Sequence, residues 1–98
     1  MSKVMIVTGA GKGIGAAIAE LAGQRGYAVC VNYAHSKDAA EQVVSRIAGA
    51  GGKAIAVQAD VSQPAEAKHL FDETERRLAK VDALVNNAGI IGRQCRLD

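Results

Sequence analysis

Four short apolar runs alternate with three stretches of helical periodicity, and this alternation most narrows the folds open to the chain. The runs are Lys3 to Thr8, Ala28 to Tyr33, Lys53 to Gln58 and Val81 to Asn86. From Gly13 to Arg25 the apolar residues Ile14, Ala17, Ile18, Leu21 and Ala22 recur at helical spacing, and Gly26 is placed to end the helix. Ser36 is placed to cap a second helix that buries Ala40, Val43, Val44 and Ile47 and stops at Gly51-Gly52. Ser62 reads as the N-cap of a third, with Pro64 in its first turn and Ala67, Leu70, Phe71, Thr74 and Leu78 on one face. The order β-α-β-α-β-α-β calls for right-handed crossovers and a parallel sheet, and predicts an α/β doubly wound architecture with strand order 3-2-1-4. Ligands of such sheets lie at the carboxyl ends of the strands, where the order reverses. Here that is between the first and fourth strands.

Composition agrees with this architecture and removes several functions. Of 98 residues, 49% are hydrophobic and 22% charged, so the chain is expected to be globular. Tyr27, Tyr33 and Phe71 are the only aromatics, which leaves Ala, Val, Ile and Leu to build the core. A net charge of +2, with basic residues scattered from Lys3 to Arg96, gives no reason to expect nucleic acid. No apolar run approaches the roughly 20 residues of a membrane span, and the amino terminus carries no signal-peptide pattern. Cys30 and Cys95 have no metal-ligand spacing, so no metal is expected; Cys30 reads as a reduced core residue, and the cytoplasm as the compartment.

The segment "VTGAGKGIG", Val7 to Gly15, places four glycines where the first strand gives way to the first helix. A bare turn of this kind lets backbone N–H groups approach a phosphate, and the helix amino terminus adds partial positive charge. The magnesium-dependent nucleotide loop is excluded, because Gly11-Lys12 is followed by Gly13 and not by Ser or Thr. A dinucleotide pattern G-x-G-x-x-G/A fits Gly11, Gly13 and Ala16, but begins two residues too late for a turn straight off the strand. Thr8-Gly9-x-x-x-Gly13-x-Gly15 is the better register, and the sheet becomes a Rossmann-type one.

"TGxxxGxG", the "DV" of Asp60-Val61 and the "NNAG" of Asn86 to Gly89 occur in that order, each at a strand end. Together they resemble the classical short-chain dehydrogenases/reductases from Ser2 onward. "VNYAHSK" and "GGKAIAVQADVS" look most similar to the 3-oxoacyl carrier-protein reductase and glucose 1-dehydrogenase members. The resemblance implies that Gly9 makes the turn, Gly13 and Ile14 face a pyrophosphate, and Gly15 permits close helix packing. It implies that Asp60 accepts a hydrogen bond from the adenine amino group, with the Val61 N–H near the ring. The alternative for Asp60 is a turn-shaping role before Ser62. Asn87 is expected to be partly structural and partly cofactor-lining, beside Ala88 and Gly89, which keep the floor low for a ribose.

An NAD-specific site wants a carboxylate at the end of the second strand. This chain has "NYAHSK" there and no acid before Asp38. Asn32, Tyr33, His35 and Ser36 are placed to hydrogen-bond a 2′-phosphate, and Lys12 and Lys37 to supply charge. His35 and Lys37 read equally well as solvated loop and helix-start residues. The balance favours NADP(H) and leaves NAD(H) open.

The family's hydride-transfer chemistry uses a Ser and a Tyr-x-x-x-Lys, neither of which has a suitable counterpart among these 98 residues. Tyr33 and Lys37 have the spacing but sit on the adenosine side, so no residue here is assigned a catalytic role. Four parallel strands with three helices leave an open apolar edge, and the segment by itself is expected to be marginally folded or poorly soluble. Residues 1–98 are therefore expected to be the amino-terminal dinucleotide-binding portion of a single larger domain. The resemblance implies an oxidoreductase acting on a small-molecule carbonyl/alcohol pair, and a homo-oligomer, usually a homotetramer. Two other readings stay open: a non-catalytic NAD(P)-binding sensor or regulatory module, and a structural domain without ligand.

Overall fold

The computed structural model describes residues 3–11 and 13–87. The elements are β1 (Val4–Val7), α1 (Gly13–Gln24), β2 (Ala28–Tyr33), α2 (Lys37–Gly49), β3 (Lys53–Gln58), α3 (Pro64–Arg77) and β4 (Ala83–Val85). The strands form one sheet in the order β3-β2-β1-β4, and all three pairings are parallel. This is the order expected from the sequence. β2 and β3 have the bounds read from the apolar runs, while β4 is trimmed to three residues. Asp82 closes the start of β4 against β1: its N–H donates to the Val4 carbonyl at 2.9 Å, and its Oδ2 accepts the Val4 N–H at 2.8 Å.

Alternation along the strands divides the core in two, as a sheet covered on both faces requires. Val7, Val29 and Val31 point to the face covered by α1 and α2, where they meet Ala16, Ala19, Ala22, Ala40, Val43 and Ile47. Ile6, Cys30 and Val57 point the other way, onto Leu70 of α3, with Phe71 and Leu78 packed at the margin. The faces expected for α2 and α3 are the ones that pack.

The face of α1 differs from expectation. Ile14 is 71% exposed and Leu21 48%, and Ala17 is also exposed, whereas Gly15, Ala16, Ala19 and Ala22 are buried. The buried stripe is turned by about one residue, roughly 100° around the axis, from the stripe of larger side chains. Close approach explains the turn. A Cβ added at Gly23 would lie 2.8 Å from Ile47 Cγ2 of α2, so only small residues fit between α1 and its neighbours. Periodicity alone finds two adjacent stripes here, and the packing distance selects the smaller one.

Two expected caps also change. Gln63, not Ser62, is the N-cap of α3, with Pro64 in the first turn, and Ser62 turns back to Asp60. Ser36 stands at the N-cap of α2 but forms no side-chain cap bond. No helix among the described residues is long and apolar enough to cross a membrane, and no cluster there has metal-ligand character.

Candidate nucleotide-binding site

β1 ends in the middle of the sheet, so its following turn lies between the ends of β2 and β4. The Thr8 N–H donates to the Val85 carbonyl at 3.0 Å, and the Thr8 hydroxyl lies 3.2 Å from Asn86 Oδ1. On the other side, the Ala10 N–H donates to the Asn32 carbonyl at 2.8 Å and the Gly9 N–H to Asn32 Oδ1 at 3.2 Å. Asn87 Nδ2 then donates to the Gly9 carbonyl at 3.1 Å. Both neighbouring strands grip the turn, which fixes where its backbone faces.

The glycines required by this geometry are those of the Gly9 register. Gly9 and Gly13 have φ of 60° and 66°, a region that costs an L-residue roughly 1–2 kcal/mol. A Cβ on Gly13 would have nothing within 4 Å, so the side of the loop at the start of α1 is open to a ligand. Gly15 is constrained by space: its Cβ would fall 2.5 Å from the Gly9 carbonyl oxygen and 2.7 Å from Asn87 Nδ2. Gly11, by contrast, would accept a Cβ at ordinary contact distances of 3.7–3.8 Å. Helix α1 begins at Gly13 with no acid in its first turn, so no carboxylate of that turn offsets its amino-terminal N–H groups and positive dipole end. Ile14, the second residue of α1, is 71% exposed. Lys12, Ala88 and Gly89 lie outside the described residues.

Asn32 has a different role from the one expected. It is 2% exposed, and its Nδ2 donates to the Val57 and Ala59 carbonyls, both at 3.2 Å, while its Oδ1 accepts from Gly9. Every polar position of the side chain is directed inward, and only one amide orientation satisfies all three partners. Asn32 therefore does not reach a ligand with its side chain; it stitches the turn after β1 to the end of β3. The remaining residues beyond β2 stay at the surface. Tyr33 and Ser36 are half-buried and His35 and Lys37 exposed, and His35, Ser36, Lys37, Asp38 and Ala39 line a shallow depression of about 440 Å³. The Lys37 Nζ is 3.9 Å from Glu41, a loose surface pair that leaves the ammonium in water.

Beyond β3, Asp60 organises its own turn. Ser62 donates to Asp60 Oδ1 through its hydroxyl at 2.6 Å and its N–H at 3.0 Å, and Glu66 accepts the Asp60 N–H at 2.7 Å. The Ser62 hydroxyl bond, then the Ser62 N–H and the nearby His35, hold the Asp60 carboxyl below the usual carboxylate range against a small opposing effect of burial. The turn-shaping role is thus present, on one carboxylate oxygen. Val61 packs at the edge of the α3-side core. The Ser62 link has a local sequence signal, since Asp-x-Ser is a known turn-forming spacing, whereas the Glu66 link, six residues on, has none. Asn86 and Asn87, adjacent amides at a strand end, tie the end of β4 to the turn after β1, a role such a pair of amides can play.

Residues 3–98 match the short chain dehydrogenase family. The chain is a member of that family. This short-chain dehydrogenase segment is 54% identical over 89 residues to versicolorin reductase 1 of Aspergillus parasiticus, covering 91% of the chain and 34% of the relative. It is 48% identical over 90 residues to a 3-oxoacyl-[acyl-carrier-protein] reductase of Staphylococcus epidermidis, covering 92% and 37%. Among solved structures it superposes on the angucycline C-6 ketoreductase LanV with bound NADP with a TM-score of 0.83 and 44% identity, covering 89% of the chain and 36% of LanV. The short-chain dehydrogenase segment spans about a third of the length of the relatives it matches. The similarity to an acyl-carrier-protein reductase agrees with the sequence resemblance.

Proposed function

We propose that this chain forms the dinucleotide-binding portion of an NADP(H)-preferring oxidoreductase that interconverts a carbonyl and an alcohol on a small-molecule substrate. The observation that carries the reading is the turn after β1: two positive-φ glycines and a third in backbone contact, open at Gly13 and gripped by β2 and β4. The family relatives, reductases by name, support the activity. In this reading Gly9 and Gly13 give the pyrophosphate an unhindered backbone, and the α1 N-terminus stabilises its charge. Asp60 and the Val61 N–H take the adenine, and Asn87 with Ala88 and Gly89 borders the nicotinamide-side ribose. Once bound, the nicotinamide supplies the hydride. In this reading the substrate proton is held and moved by a Ser and a Tyr-x-x-x-Lys, roles to which no residue of this chain is assigned.

The NADP(H) preference rests on the end of β2. Tyr33 stands where an NAD site wants an acid, and the depression beyond it carries His35, Ser36 and Lys37. Asp38 sits in the first turn of α2, one residue past Lys37. LanV, similar here at 44% identity, was solved with NADP. Titration of the complete polypeptide with NADPH and NADH tests the reading. Tighter NADPH binding is expected, and its loss in Gly13→Val; tighter NADH binding overturns the preference, and binding of neither cofactor overturns the function. Failure to reduce any carbonyl despite tight NADPH binding identifies the non-catalytic sensor instead.

A further inference from the structure

We propose that Ser62 is a positioning residue for nucleobase recognition: by occupying one oxygen of Asp60 it presents the other to a 6-amino purine and so turns away a 6-oxo purine. The inference rests on the reading of Asp60 as the adenine contact and adds the group that makes that contact selective.

Three bonds fix Asp60 from two directions. The Ser62 hydroxyl and N–H converge on Oδ1 at 2.6 and 3.0 Å, which sets the plane of the carboxylate. Glu66, on the first turn of α3, accepts the Asp60 N–H at 2.7 Å and sets the backbone beneath it. Among the described residues no hydrogen bond forms at Oδ2. An ionised carboxylate only accepts, so Oδ2 has a use for a donor and repels an acceptor. The 6-amino group of adenine is a donor, and the 6-oxo group of hypoxanthine is an acceptor. A carboxylate free to rotate would discriminate less, because it can turn away from an approaching acceptor at little cost. The Ser62 hydroxyl opposes this, since its bond to Oδ1 restrains rotation. Ser62 is exposed, so removing its hydroxyl leaves both cores untouched.

Dissociation constants of the complete polypeptide for NADPH and for its reduced hypoxanthine analogue test this. The unsubstituted protein is expected to favour NADPH by roughly tenfold or more, the worth of a hydrogen bond to a charged acceptor. Ser62→Ala should narrow that ratio by at least about threefold, with the Ser62 N–H retaining part of the effect, and Ser62→Thr should restore it. A ratio near one in the unsubstituted protein overturns the adenine assignment of Asp60, and the Ser62 role with it. A large ratio that Ser62→Ala leaves unchanged, whether or not both affinities fall together, leaves Asp60 in place and overturns the role of Ser62. A loss that Ser62→Thr fails to restore does the same.

Discussion

Asn32 Oδ1 accepts the Gly9 N–H at 3.2 Å, so a fully buried side chain at the end of β2 holds the turn that follows β1. The same amide donates to Val57 and Ala59 at the end of β3. Three successive strand ends of the sheet are joined through one residue, and the turn after β1 inherits the rigidity of the core instead of the mobility of a surface loop.

Replacing Asn32 is accordingly expected to destabilise the fold more than it alters any ligand contact. Asn32→Ala leaves one N–H and two carbonyls without their side-chain partner, at a cost of about 2–4 kcal/mol. Asn32→Asp should be worse, because a carboxylate would face two carbonyl oxygens in a buried site. Denaturant unfolding of both variants checks the order. Wild-type stability in Asn32→Ala would show that the three bonds contribute little.

Gly15 and Gly11 make a matched pair of probes in the same motif. Gly15→Ala forces a methyl to within 2.5 Å of the Gly9 carbonyl oxygen, and should cost at least about 2 kcal/mol while displacing the turn. Gly11→Ala meets only ordinary contacts and has no positive φ, so it should lie within about 0.5 kcal/mol of the parent. Thermal melts of the two variants decide it. Equal losses would mean that the glycine register is not set by Gly15.

How far the sequence could be read depended on the range of the forces involved. The strands and their order were legible because β-rich runs alternate with helical spacing, and the parallel crossover rule leaves few topologies. The glycine register was legible because the chain must turn straight off β1, and Gly9 is the first glycine past its end. The inward turn of Asn32 was not legible: its three partners lie 23 to 27 residues away, and a polar residue at a strand end looks like a ligand contact until its burial is known. The α1 face failed for a related reason. Ile14 and Leu21 carry the stronger hydrophobic signal, but the separation of α1 from Ile47 of α2 admits only Gly and Ala. Ser62 competed between two local roles, helix cap and partner of Asp60, and the side-chain acceptor two residues back won.

Cys30 gives a pH-dependent prediction. Burial between β1, β3 and α3 pushes its thiol up from 9.0 to about 11, with Thr74 and Arg77 opposing. A raised folded value means that the stabilising thiol form is intact below pH 9 and loses its advantage as the pH climbs toward 11, because the unfolded chain ionises first. The stability difference between the parent and Cys30→Ala should therefore shrink by something on the order of 2 kcal/mol across that interval. Urea unfolding at pH 8, 9.5 and 10.5 measures it. A difference independent of pH would indicate that Cys30 ionises as readily folded as unfolded. The same burial should leave Cys30 unreactive toward iodoacetamide at pH 8 until the chain unfolds.

The proposed NADP(H) preference is testable at one position. Tyr33 is the last residue of β2, half-buried against the α1- and α2-side core, and its backbone carbonyl accepts the Ala59 N–H at 3.0 Å. Tyr33→Asp puts a carboxylate where a ribose 2′-position would lie, so a 2′-phosphate meets a like charge and a 2′-hydroxyl gains an acceptor. The NADPH-to-NADH affinity ratio should fall by roughly tenfold or more, about 1.4 kcal/mol or greater. Loss of the aromatic ring will also weaken packing, so Tyr33→Asn serves as the uncharged control. It removes the same ring and adds no charge, and should lower both affinities together with little change in the ratio. If the two variants shift the ratio equally, charge at the end of β2 does not set the preference, and the selecting groups must be sought among His35, Ser36 and Lys37.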